Sequence, residues 1–378
     1  MLKRIVFTGQ ILIITFVCLQ LVECNKSGKQ NDVIEYISGF PVEVDLKAVR
    51  IKVPPILMDP SNMCISDTFM IISQNEHDSI FSIFGLPDCK LLYRFGKRGR
   101  GPDEFIYSYP FQTLGSVNID EGAFAVNNNV SDFQFYRIRD ILNDNISPYK
   151  TGSLPSEYYN IRSMAYIGDS VIIAAPNADS INILKYNINS NKSTVISYYP
   201  DVFPKLHRDL KREIYGCLIK AKPDNSRYIV AYAHTGRIEF YNILDKEPYK
   251  ILIYKDFPSL KENTGLSNSS TEWNITPEEK FFCGYLAASN KYVFLGILGA
   301  KNSEIFLKDG PNRSFIPEIH VFTWKGEPVT KIKLEKFYFL LAVDKNANYF
   351  YVIDDMIANE IRRYDLGFLF QEGFESGL

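Results

Sequence analysis

"FLLAVDKNANYFYVIDDMIANEIRRYDL", Phe339 to Leu366, holds three runs of β-branched and aromatic residues separated by Asp and Asn. Val, Ile, Tyr and Phe favour strands, and D-x-N chemistry closes tight turns between them. The stretch reads as three short strands that fold back on one another. A sheet this small cannot bury both faces alone, so it implies copies of itself stacked alongside.

Copies are present. "GSVNIDEGAFAVNNNVSDFQFYRI", Gly115 to Ile138, repeats the pattern clearly. Weaker copies begin at Met63 ("MCISDTFMIIS"), Ile161 ("IRSMAYIGDSVIIAAP"), Tyr215 ("YGCLIKAKPDNSRYIVAYAHTGRIEFYNI") and Phe281 ("FFCGYLAASNKYVFLGIL"). Six starts spaced about 45 to 65 residues apart suit four-stranded propeller blades joined by variable loops. The last copy supplies only three strands. Val42 to Val53, "VEVDLKAVRIKV", alternates apolar and polar residues and is expected to complete it against Glu360 to Asp365, closing the ring and removing an exposed edge. The fold class is therefore all-β: a six-bladed β-propeller of four-stranded blades, closed by an N-terminal strand.

Composition agrees. Among 378 residues there are 24 Tyr, 27 Phe, 22 Gly and 19 Pro, which suits many short strands joined by turns. The net charge of −2 provides no field that would recruit nucleic acid, so no nucleic-acid partner is expected.

Tyr93 to Phe105, "YRFGKRGRGPDEF", looks at first like a phosphate-binding loop. Such a loop needs a helix after it, whose first amides face the anion. Here Pro110, Gly115 and alternating β-formers follow instead, so the glycines belong to architecture. Gly96, Gly99, Gly101, Pro102 and Phe105 are expected to carry the chain from the outer strand of one blade to the inner strand of the next. Glycine permits the positive φ such a crossing demands. Phe95 and Phe105 would plug the seam between blades, with Asp103 or Glu104 accepting backbone N–H groups in the turn. The basic residues Arg94, Lys97, Arg98 and Arg100 would face solvent or a partner.

Phe95-Gly96, Gly99, Gly101-Pro102, Glu104-Phe105 and Pro110, followed by Asp120, Gly122 and Val126, resemble the inter-blade signature of NHL-type propellers. Together with the N-terminal segment and "AVDKNANYFYVIDD", the chain resembles the TolB-like six-bladed propeller lipoproteins of bacterial envelopes. The resemblance is specific over Phe95 to Asp132 and Ala342 to Asp365, and diffuse between. It implies a six-bladed fold and an envelope location, without implying a substrate.

The N-terminus is of different material. Lys3 and Arg4 precede an apolar run that ends in "LVEC", Leu21 to Cys24. This reads as a secretory signal over residues 1–24 with a lipobox-like end, in which Cys24 takes the lipid. Glu23 stands where a small residue is usual, so cleavage without lipid and an uncleaved anchor stay open. Each outcome places the body, residues 42–378, outside the cytoplasm behind a tether of residues 25–41. The membrane is then a partner through the anchor.

For chemistry, the sequence offers little. The four His (His77, His207, His234, His320) are scattered, and no CxxC pair or GxSxG is present, so no metal, cofactor or catalytic residue is assigned. Cys64, Cys89, Cys217 and Cys283 read as buried free thiols. Two insertions break the period, Tyr199 to Gly216 and Phe257 to Lys280, the second carrying Trp273. Trp273, Arg98 and Arg100 are the candidate ligand contacts, because loops on a rigid scaffold carry recognition. The expected function is a non-enzymatic binding or scaffold propeller for a glycan, peptide or partner protein. The alternative is a metal-dependent lactonase or lyase at the mouth of the central channel.

Overall fold

The computed structural model describes residues 33–370, apart from 76–77, 102–103, 106–113, 118, 120–121, 128–131, 159–160, 162, 177–179, 200–202, 268, 308–309, 312–313 and 355–356. Cys24, Pro102, Asp103, Pro110, Asp120, His77 and the signal segment lie outside the described residues.

Six sheets form the blades, each built on four antiparallel strands. Blade 1 comprises Pro60–Ser66, Phe69–Gln74, Phe81–Gly85 and Lys90–Phe95, and blade 2 Leu114–Val117, Ala123–Asn127, Asp132–Arg137 and Lys150–Ser153. Blade 3 comprises Ser163–Ile167, Val171–Ala175, Ile181–Asn187 and Lys192–Tyr198, and blade 4 Cys217–Ala221, Arg227–Tyr232, Arg237–Asn242 and Lys250–Tyr254. Lys280–Ala288, Tyr292–Lys301, Glu318–Thr323 and Pro328–Lys333 make blade 5. Blade 6 takes Leu340–Val343, Tyr349–Ile353 and Ile357–Asp365 from the C-terminal end and Val49–Met58 from the N-terminal end. The first strand of each blade touches the first strands of its neighbours, so these six line the axis.

The seams are filled by apolar side chains from facing blades. Between blades 1 and 2, Phe81, Phe95, Phe105, Phe124 and Tyr136 form one aromatic cluster, with Phe81 and Phe105 edge to face at 4.9 Å. Polar bonds pin the inner strands: the Ala123 N–H donates to Ser66 Oγ at 3.0 Å, and the Ile219 N–H to Ser163 Oγ at 2.8 Å. All four described cysteines are free and buried. Burial pushes the Cys64 and Cys89 thiols up to about 12, so they remain protonated and act as small apolar groups.

A repeat hidden in the sequence becomes visible here. At the penultimate position of every third strand stands a buried aromatic residue: Phe84, Tyr136, Tyr186, Tyr241, Phe322 and Tyr364. Each lies directly opposite the second residue of the preceding strand. In three blades that opposite residue is itself aromatic, giving stacked pairs Phe124–Tyr136, Tyr228–Tyr241 and Phe350–Tyr364 with ring centroids 5.4, 4.8 and 4.7 Å apart.

Two expectations are corrected in detail. The N-terminal strand closes the ring as expected, but with bounds Val49–Met58 in place of Val42 to Val53: Val49 pairs with Arg363, Ile51 with Ile361 and Lys52 with Glu360, and the ladder runs on to Met58 opposite Ile357. The blades are also not uniformly four-stranded. Ile34–Ile37, inside the expected tether, adds a parallel fifth strand to blade 4, and Glu43–Asp45 adds one to blade 5. Residues 33–58 thus run along the outer edges of three successive blades. Their apolar–polar alternation suits any outer edge, so only the path of the chain decides which edge each piece covers.

Candidate functional site

Along the third strand of blade 4, side chains alternate between its two faces. Ile238 and Phe240 join the core shared with blade 5, whereas Arg237, Glu239 and Tyr241 turn toward blade 3. There they line a cavity of about 340 Å³, whose opposite wall includes Asn182, Ile196, Ser197 and Tyr198. On the blade 3 side, the pairing of Ile181–Asn187 with Lys192–Tyr198 shifts register around Ile183, which bends the outer strand where the cavity begins.

Glu239 organises the interior. The residue is only 5% exposed, and both oxygens of its carboxylate are engaged. Oε1 accepts from Arg237 Nε at 2.6 Å, while Oε2 accepts from the Tyr241 hydroxyl at 2.6 Å and the Tyr232 hydroxyl at 3.1 Å. Tyr232 in turn accepts from Asn182 Nδ2 at 3.0 Å, a bond that crosses the seam. Burial, and then the Glu239 charge, pushes both phenols up, so each stays a donor. A buried carboxylate held by one guanidinium and two hydroxyls is stable where a lone one would not be.

Two neighbouring groups contrast with this saturation. Ser197 and Thr235 line the same cavity, but their hydroxyl oxygens are turned out of its open space: both are shielded from solvent and have no hydrogen-bond partner within the protein. An unpaired buried hydroxyl costs about 1–3 kcal/mol. Lys246 and Glu247 stand exposed at the mouth beside Tyr198, which is 62% exposed.

The position occupied by Glu239, two residues before the conserved-register aromatic of its strand, is a seam position in every blade. It holds Ser82, Gln134, Leu184, Glu239, His320 and Arg362 in blades 1 to 6. His320 bonds the Tyr254 hydroxyl at 2.7 Å and Glu318 at 3.3 Å beneath Phe40, and burial holds its imidazole below the ordinary value. Arg362 donates to Asp354 at 2.6 Å. Those polar groups are packed in place.

The residues singled out from sequence are dispersed. Gly96 has φ +86° and marks the crossing from blade 1 to blade 2. Gly99 and Gly101 are not in the left-handed region. A Cβ on Gly99 would instead meet Glu104 Oε2 at 1.8 Å, and that carboxylate accepts the Gly101 N–H at 2.8 Å. Glycine there makes room for the end of a flexible carboxylate side chain rather than for a positive φ, which corrects the φ-based expectation. Arg98 bonds Asn75 Oδ1, and Arg100 is exposed. The hollow beside this loop, about 510 Å³ and open to solvent, mixes Arg94 and Lys97 with Asp78 and Glu104, and so has no anion-selective character.

Trp273 requires a second correction. It is 8% exposed, packs with Phe203, Leu206, Ile214 and Tyr215, and donates its indole N–H to Glu279 at 3.2 Å. His234 lies edge-on to it, 2.9 Å from the other Glu279 oxygen. Trp273 therefore welds the two insertions together and offers no open face to a ligand.

At the axis, a small hollow of about 30 Å³ lies between Met63, Cys64, Ala287, Ala342 and Lys220. Among the described residues no group of three or more His, Cys, Asp or Glu side chains could hold a metal ion. The seam cavity was invisible to sequence reading, because Glu239, Ser197 and Thr235 are ordinary strand and turn residues there. The one available signal was a carboxylate at Glu239 within an otherwise apolar and aromatic strand.

Fold and site together define a six-bladed β-propeller with a polar cavity between two blades. The TolB-like 6-blade propeller-like family matches residues 40–346, and the chain belongs to that family. No curated protein matches it. Among solved structures it is similar to a member of the DUF4221 family from Bacteroides vulgatus, at 12% identity and a TM-score of 0.56, covering 85% of this chain and 96% of that one. The Pan2 WD40 domain of Neurospora crassa is similar at 11% identity and a TM-score of 0.45, covering 86% of this chain and 97% of that one.

Proposed function

We propose that this chain is an exported lipoprotein of a bacterial envelope, anchored through Cys24, whose propeller binds a small ligand between blades 3 and 4 without transforming it. The observation that carries the binding reading is a cavity of about 340 Å³ between two blades, one wall of which is the hydrogen-bonded network of Arg237, Glu239, Tyr232 and Tyr241. A concave space with a preorganised polar wall suits recognition. Binding is favoured over turnover because Glu239, the best-placed acid or base, has both oxygens committed to structural partners. The export reading is supported by Lys3, Arg4, the apolar run and "LVEC".

Two measurements test it. Mass spectrometry of the mature N-terminus is expected to show a diacylglyceryl adduct on a chain beginning at Cys24; an unmodified chain beginning at Met1 would overturn lipidation. For the seat, the full chain in mild detergent is screened by thermal shift against saccharides, amino acids, nucleotides and short peptides. Ligand shifts are expected to vanish in Ser197→Trp, which fills the cavity. Shifts that survive in a folded Ser197→Trp chain would place binding elsewhere.

A further inference from the structure

Among the described residues, one amine at the propeller axis has no countercharge. We propose that the axial hollow is a second binding site, independent of the seam cavity, in which Lys220 holds the carboxylate group of a small organic monoanion.

The ring places the lysine. Lys220 belongs to Cys217–Ala221, the innermost strand of blade 4, and blade 4 stands across the axis from blade 1. Its amine and the Cys64 thiol, on the innermost strand of blade 1, act on each other electrostatically, so the side chain reaches into the channel rather than into a seam. Lys220 is half-buried, makes no hydrogen bond or ion pair among the described residues, and its nitrogen is not one of the polar atoms sealed from solvent. The amine therefore opens onto the hollow that the residue lines.

Charge sets the sign of the guest. The two other charged side chains of the hollow, Asp67 and Lys345, form an ion pair with each other and cancel. Cys64 keeps its proton, because burial pushes the thiol up to about 12, and so supplies no countercharge. One positive charge is left over. Burial lowers the Lys220 amine from its ordinary value, the mark of a cation held away from water without a partner, and an anion arriving beside it relieves that penalty. A single charge matches a monoanion, whereas a dianion would bring a second charge with nothing to meet it.

Size and surface set the head group. A hollow of about 30 Å³ seats about two water-sized groups, which suits the two oxygens of a carboxylate. An ammonium group donates in three directions. Ser116 lines the same hollow from blade 2, and its hydroxyl likewise has no partner among the described residues and is not sealed from solvent, so a second donor is available. Met63, Ile65, Ala287, Leu341 and Val343 complete the lining with apolar surface for the hydrocarbon part of the guest.

The test is isothermal calorimetry on the full chain in mild detergent and low-chloride buffer, with acetate, propionate and butyrate as probes and their neutral amides, chloride and inorganic phosphate for comparison. At least one carboxylate is expected to bind, and its amide is not. Lys220→Met is expected to abolish that binding while the melting temperature holds or rises, since it removes a charge that has no partner. Ser116→Ala is expected to weaken binding about tenfold. Ser197→Trp, which fills the seam cavity, is expected to leave it unchanged, so this site and the seam cavity stand or fall separately. Absence of carboxylate binding by the folded wild-type chain, or binding retained in Lys220→Met, would overturn the site. Chloride or phosphate bound as tightly as the carboxylate would overturn the ligand class. A lowered melting temperature in Lys220→Met would show that the amine is paired within the fold and would overturn the argument from charge.

Discussion

Gly96 and Gly99 sit three positions apart in one loop and are constrained in different physical ways. Gly96 needs glycine because its φ of +86° lies where a side chain is strained, and a Cβ there would press on Phe81 at 3.0 Å. At Gly99 the space a Cβ would take is held by Glu104 Oε2, the end of a flexible side chain that can move aside at the cost of its own hydrogen bond. The two origins separate by experiment. Gly99→Ala is expected to cost about 1–2 kcal/mol by displacing the carboxylate from the Gly101 N–H. In Gly99→Ala/Glu104→Ala the two costs should be far from additive, because the obstacle and the lost bond are the same carboxylate. Gly96→Ala should remain destabilising whether or not Glu104 is present. Urea unfolding of the set decides it, and additivity at Gly99 would refute the close-approach account. The sequence marked the glycines but carried no sign of which constraint applied to each.

Strand-level packing shows what the aromatic composition is for. One buried aromatic residue per blade, facing the second residue of the preceding strand, repeats around the ring, and only some of these residues carry a hydroxyl with work to do. Tyr241 donates to Glu239 at 2.6 Å, whereas the Tyr364 hydroxyl is buried with no partner. Removing a hydroxyl should therefore act in opposite directions in two equivalent places. Tyr364→Phe is expected to be neutral or to stabilise slightly, since an unmet polar group is lost. Tyr241→Phe should destabilise by about 1–3 kcal/mol by leaving the buried Glu239 carboxylate short of a donor. Equal effects of the two substitutions in chemical denaturation would show that the network around Glu239 contributes nothing particular. The aromatic content marked the strands; which tyrosines are buried and what each hydroxyl bonds were not legible, because partners come from other strands.

At the scale of the molecule, the N-terminal segment does two jobs that truncation can separate. Ile34–Ile37 and Glu43–Asp45 decorate blades that already have four strands, whereas Val49–Met58 is the fourth strand of blade 6. A chain beginning at Ala48 keeps the ring closed and should fold, with a melting temperature lowered by several degrees. A chain beginning at Asp59 exposes the edge of Ile357–Asp365 and the apolar face beside it, and should aggregate or fail to melt cooperatively. A cooperative, unaltered transition in the second truncation would mean that the ring does not depend on closure between the chain ends.

Strand periodicity, turn chemistry and the repeat of about 45 to 65 residues determined the all-β class, the six blades and closure by an N-terminal strand. These are local or nearest-neighbour properties, written wherever side chains alternate about a backbone. The seam cavity, the burial of Trp273 and the extra strands on blades 4 and 5 were decided only in three dimensions. Asn182, Ser197, Thr235 and Glu239 meet because two blades face each other across a seam, and no spacing along the chain encodes that meeting. Trp273 reads as exposed in a polar loop, yet it is buried because Glu279 and the helix Arg208–Ile214 from another insertion close over it. An outer-edge strand fits any blade by its own alternation, so the chain path around the ring, a property of the assembled propeller alone, chose where each piece of residues 33–58 was laid.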